Sequence, residues 1–134
     1  MLVMLVRQWK LIALVIGCVV LSGPRVLAEA GLYETMMKER MLNNVRSSPG
    51  WKSISDGIKV RYSACFAASL AAGLTMDEVR RMNAAAQGLH LDEELAQKAL
   101  DQLMDTIDKL NRRDLSVLEK VCPNDMADFK KAGL

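Results

Sequence analysis

Two of the three cysteines, Cys65 and Cys122, stand on apolar stretches 57 positions apart, and the third, Cys18, lies in an apolar run near the N-terminus. A thiol can serve as a nucleophile, half of a redox dithiol, a soft metal ligand or half of a structural bridge. The sequence has no Cys-x-x-Cys, and its one histidine, His90, is near neither Cys65 nor Cys122. An even pair in an exported chain reads as a disulfide, so Cys65–Cys122 is the expected bridge. Closing so long a loop restricts the unfolded chain by roughly 4 kcal/mol in the chain-entropy description.

Other groups could do chemistry on paper. His90 precedes Asp92-Glu93-Glu94, but a metal site recruits several ligands at defined spacing, and a lone histidine between two helices reads as an exposed or capping residue. Asp101, Asp105 and Asp108 share one helical face. Calcium wants six to eight oxygens from a glycine-bearing loop, whereas Lys98, Lys109 and Arg112 dilute this charge into a solvated face. The thioethers of Met36, Met37 and Met41 suit Cu(I), and with His90 they define an alternative reading as a small-ligand or copper carrier. Met37 and Met41 also fall on an apolar stripe, where methionine is an ordinary gap-filler. No nucleophile elbow or phosphate loop is present, and no catalytic constellation can be assembled. The expectation is a protein that is not an enzyme and has no cofactor or metal. What remains for function is shape. Trp51, Arg80, Arg81, Arg112 and Arg113 sit in turns and at helix ends, and Trp and Arg are over-represented in interface hot spots. Trp51 could equally plug one end of a bundle.

The first thirty residues read as an address. Arg7 and Lys10 precede a charge-free run from Leu11 to Ser22, followed by Gly23-Pro24 and the small-residue site Val26-Leu27-Ala28. That order is a secretory signal, expected to be cut after Ala28, with Ala30 as the neighbouring option. The run is shorter than the roughly 20 residues a bilayer span needs. Val15-Ile16-Gly17-Cys18 resembles a lipobox, which would make Cys18 a lipid anchor, although the apolar run continues through Val19, Val20 and Leu21. Removing residues 1–28 takes away Arg7, Lys10 and Arg25 and no acidic residue, so the formal charge falls from +2 to −1. No case for nucleic acid or anionic lipid survives the cut. The expected location is periplasmic or secreted.

Residues 29–134 must then supply one domain. The 134-residue chain is 51% apolar but only 4% aromatic, with 3 Pro and 8 Gly, which disfavours both disorder and a small β-barrel. The apolar spacing predicts an all-α bundle of four to five helices. The first spans about Ala30 to Arg46, with Tyr33, Met37, Met41 and Val45 at four-residue intervals, and Ser47-Ser48-Pro49-Gly50 stops it. The second spans about Ser53 to Ala72, with Ala64, Ala68 and Ala72 as a small-residue row that invites close approach of another helix and Gly73 at its C′ position. The third begins at Thr75, whose partner Glu78 completes a capping box between Leu74 and Val79, and it ends at Gly88. The fourth follows Asp92 and runs to about Asn111, with Glu94–Lys98 and Asp105–Lys109 as i,i+4 pairs. Asp114 or Ser116 caps a short fifth, and one last turn runs from Asn124 or Asp125 through Phe129.

In layout alone (small, exported, helical, cysteine-bearing) the chain is similar to periplasmic immunity proteins against amidase effectors and to acid-stress periplasmic chaperones. No motif of either can be laid on this sequence, and no functional residue is carried over. The expected function is that of a non-catalytic binding protein with a protein partner.

Overall fold

A computed structural model of the protein describes residues 31–134. The expected signal peptide at 1–28, its cut site and the Cys18 anchor lie outside the described residues. In chain order come α1 (Leu32–Ser47), a 3-10 turn (Pro49–Trp51), α2 (Asp56–Ala72), α3 (Met76–Ala86), α4 (Glu93–Asn111), α5 (Ser116–Glu119), a second 3-10 turn (Pro123–Asp125) and α6 (Met126–Lys131). The described residues are all-helical, with no strand. The expectation of four to five helices becomes six, because the last turn past Pro123 grows into a helix of its own. No helix among the described residues is long and apolar enough to cross a membrane.

Each long helix is explained by its ends and its stripe. Tyr33, Met37, Met41 and Val45 are buried along α1, as their spacing dictates. The start of α1 has no local cap: Gly31 sits at φ 131° and offers no side chain. An acceptor comes instead from α3, where the buried Asn83 Oδ1 takes a hydrogen bond from the Tyr33 backbone N–H at 2.9 Å. At the other end, Arg46 donates twice to Asp56, at 2.9 and 2.8 Å, and so ties the end of α1 to the start of α2. The Arg46 guanidinium holds the Asp56 carboxyl below its usual range, chiefly through that hydrogen bond.

Helix α2 is capped by Ser55, whose hydroxyl accepts from the Ile58 N–H. The expected start at Ser53 is three residues ahead of Asp56, because the chain first completes the turn around Trp51. The small-residue row is also displaced. Ser63 and Ala67 are fully buried, whereas Ala64 is half-buried and Ala72 exposed. Ser63 can occupy the interior because its hydroxyl donates to the Lys59 carbonyl at 2.8 Å. Gly73 is the C-cap at φ −80°, not a left-handed C′ residue. Glycine fits there because the Gln102 amide donates to the Gly73 carbonyl, and a Cβ at Gly73 would collide with that amide.

The capping box of α3 forms in full: the Glu78 N–H donates to Thr75 Oγ1 at 3.1 Å and the Thr75 N–H to Glu78 Oε1 at 2.9 Å. Past its end, Gly88 takes φ 92° while the Leu89 N–H reaches the Ala84 carbonyl at 3.1 Å, the six-to-one bond of a Schellman motif. Asp92 caps α4 by accepting from the Glu94 N–H at 3.0 Å. Of the two expected pairs along α4, Asp105–Lys109 forms at 3.0 Å. Lys98 bonds to Glu78 on α3 at 2.7 Å rather than to Glu94, because the tertiary partner is closer to buried.

Phe66, Phe129, Leu70, Leu103 and Leu118 are the largest wholly buried apolar side chains, so the interior draws on α2, α4, α5 and α6 together. The disulfide Cys65–Cys122, Cα–Cα 5.9 Å, joins α2 to the turn ahead of α6. Beside it Arg61 bridges Asp125 and Asp128, at 3.1 and 2.9 Å.

Candidate functional site

Among the described residues, one grouping of His, Cys, Asp and Glu brings three potential ligand atoms together: Cys65, Cys122 and Asp125. Its two sulfurs are bonded to each other. The Asp125 carboxylate lies 3.6 Å from Cys65 Sγ, a contact rather than a hydrogen bond, since a disulfide sulfur has no proton to give. His90 is exposed in the loop between α3 and α4. Met37 and Met41 belong to the core cluster and Met36 is half-buried on the same helix, so two of the thioethers named for copper are packing groups. Asp105 and Asp108 are engaged by Lys109 and Arg112, and Asp101 by Gln97.

The five residues singled out for contact fall into three separate places. Trp51 and Arg113 line one cavity of about 430 Å³. Its floor is the apolar core itself, formed by Met41, Val45, Tyr62 and Ile107. Ile54 and Leu110 add apolar wall, and Asn44, Ser53 and Asn111 bring polar groups. Trp51 is half-buried against the core: its ring meets Tyr62 edge-on at 4.8 Å, and Tyr62 meets Phe129 at 5.5 Å. Burial pushes the Tyr62 phenol up to about 12, so it stays neutral.

Arg113 has a backbone that its type does not favour. It follows the last residues of α4 at φ 61°, the only positive φ outside glycine among the described residues. The Asp114 N–H bonds to the Lys109 carbonyl at 2.9 Å and the Arg113 N–H to the Leu110 carbonyl at 3.0 Å. These are the two bonds of a Schellman motif, with arginine in the place glycine usually takes.

Arg80 and Arg81 line a different, open cleft of about 450 Å³ with Asp77, Asn83, Ala84, Gln87 and Leu89. Arg81 is tied to Asp77 and Asp92, at 3.1 and 3.0 Å. Arg80 forms no ion pair among the described residues. The exposed large hydrophobic side chains of the described residues are Met76 (81% exposed), Leu89 (64%) and Met104 (38%), and the first two bracket α3. Arg112 pairs with Asp108 at 2.7 Å on the surface of α4.

The sequence singled out Trp51 and Arg113 separately and did not join them. Asn44 and Asn111 were missed, as were Met76 and Leu89 as exposed groups. The one available signal for Leu89 was its place directly after Gly88. No protein-family model, curated protein or solved structure matches the chain.

Proposed function

We propose that this is an exported, non-catalytic helical protein that acts by binding a protein partner through the outer face of α3. The observation that carries this is the arrangement around Arg80. Met76 precedes it by one helical turn, Leu89 lies beside it across the open cleft, and both apolar side chains stand in solvent. Apolar side chains exposed near an arginine that has no ion-pair partner among the described residues are the kind of set an interface uses as anchors. Export is supported by the charge–apolar–small order of Met1 to Ala28 and by a disulfide, which persists in oxidising compartments.

Affinity capture from the native extracytoplasmic fraction tests the reading, with the wild-type chain run beside Met76→Asp/Leu89→Asp. The expected result is a specific protein recovered by wild type and lost by the double variant. Recovery of nothing, or equal recovery by both baits, contradicts it. Both positions are exposed, so the variant keeps its fold, which a circular dichroism melt verifies.

A further inference from the structure

We infer that Cys65, Cys122 and Asp125 form, in the reduced chain, a binding site for one zinc-class divalent cation, and that the cation and the disulfide exclude each other. This inference goes beyond the partner reading and stands independently of it.

The fold brings the three groups together from two elements. Cys65 is buried on α2, whereas Cys122 and Asp125 stand at the two ends of the 3-10 turn ahead of α6. Within that turn the Asp125 N–H bonds to the Cys122 carbonyl at 3.2 Å. Its two ligand atoms thus come from a Cys-x-x-Asp stretch, the spacing at which two zinc ligands commonly share one loop. Both sulfurs and a carboxylate oxygen of Asp125 lie within 4.8 Å of one another.

The distances fit a tetrahedral cation. Bonds of about 2.3 Å to sulfur and about 2.1 Å to oxygen place those two ligands roughly 3.6 Å apart. Oδ2 of Asp125 is 3.6 Å from Cys65 Sγ. Two thiolates on one zinc stand roughly 3.8 Å apart. Once the S–S bond is broken, rotation about the two Cα–Cβ bonds reaches that separation across a Cα–Cα distance of 5.9 Å.

Arg61 orients the carboxylate. It donates to Oδ1 of Asp125 at 3.1 Å and to Oδ2 of Asp128 at 2.9 Å, while Oδ2 of Asp125 is turned to the sulfur. A ligating carboxylate held from behind in this way is the usual outer shell of a metal site. Two thiolates select zinc or cadmium over magnesium or calcium. Cys122 and Asp125 are half-buried, which leaves the fourth position to water.

Opening the site takes two electrons and two protons, delivered by a dithiol that is itself oxidised to a disulfide. The cation then displaces the two thiol protons to solvent. Oxidation withdraws two electrons from the thiolates, re-forms the S–S bond and releases the cation.

The test uses the full chain with Cys18→Ser, which leaves Cys65 and Cys122 as its only cysteines. It is reduced with a phosphine, which becomes its oxide, and titrated without oxygen with Co(II) and then Zn(II), beside the oxidised chain. The expected result is one-to-one saturation with thiolate-to-cobalt charge transfer and the intense d–d bands of a tetrahedral site, reversed by Zn(II). The oxidised chain should show none of this. Asp125→Asn, which keeps both thiols, should bind at least about tenfold more weakly, and His90→Ala should bind as the parent does. Zinc should also raise the thermal midpoint of the reduced parent more than that of reduced Asp125→Asn, or restore its helix content where reduction has unfolded it. No saturable response in the reduced chain, equal binding by the oxidised chain, undiminished binding by Asp125→Asn, or a fold that zinc leaves unchanged would each overturn the assignment.

Discussion

Lys98 Nζ lies 2.7 Å from Oε1 of Glu78, the same oxygen that accepts from the Thr75 N–H at 2.9 Å. One carboxylate therefore closes the capping box of α3 and ties α3 to α4. Its pKa responds: hydrogen bonds from Lys98 first, then from Thr75, lower Glu78 from 4.5 to about 2. A carboxyl group depressed in the folded state contributes stability that is present in full above its unfolded value and is lost as pH falls through the folded value. Wild type should accordingly lose stability between about pH 4.5 and pH 2 more steeply than Glu78→Gln. Urea denaturation across that range reads the difference, and parallel profiles would contradict it.

Thr75→Ala removes the hydroxyl that accepts from the Glu78 N–H. The expected loss is about 1 kcal/mol, measured by urea denaturation at neutral pH. The Thr75 N–H bond to Glu78 survives the substitution, so Thr75→Ala with Glu78→Gln should not be additive.

Arg113→Gly should raise stability by about 1 kcal/mol, since it relieves a left-handed backbone in a side-chain-bearing residue while leaving the Schellman bonds intact. A thermal melt at or above that of wild type is the expected outcome. A clear fall in melting temperature would mean that the side chain itself holds the end of α4.

Replacing Cys65 and Cys122 together by alanine opens a loop closed across 57 positions, and should cost about 2–4 kcal/mol. Reduction of the wild-type disulfide should bring its denaturation midpoint close to that of the double variant. A midpoint unmoved by reduction would contradict a stabilising bridge.

These features were unequally legible in the sequence. The capping box at Thr75 and Glu78 and the turn at Gly88 were readable because each is set by residues a few positions apart. The stripe Tyr33, Met37, Met41, Val45 was readable because burial of one helix face imposes its period. Lys98 was paired with the wrong partner, because its acceptor Glu78 lies 20 positions away and only tertiary packing brings it near. The small-residue row on α2 was off by one position for a different reason. Ser63 counts as polar by composition, yet it is buried once its hydroxyl bonds to the Lys59 carbonyl. Asn83 was invisible on the same grounds, since its acceptor role toward the start of α1 depends on how α3 packs. Trp51 and Arg113 were each singled out by residue type, but their shared cavity is a product of the assembled bundle.

The central claim is that this chain acts outside the cytoplasm as a covalently closed helical protein. Intact-mass and non-reducing peptide analysis of the protein recovered from the extracytoplasmic fraction tests it most directly. The account predicts a chain beginning at Glu29 with Cys65 linked to Cys122. A chain still beginning at Met1, one lipidated at Cys18, or one with both thiols free would contradict it.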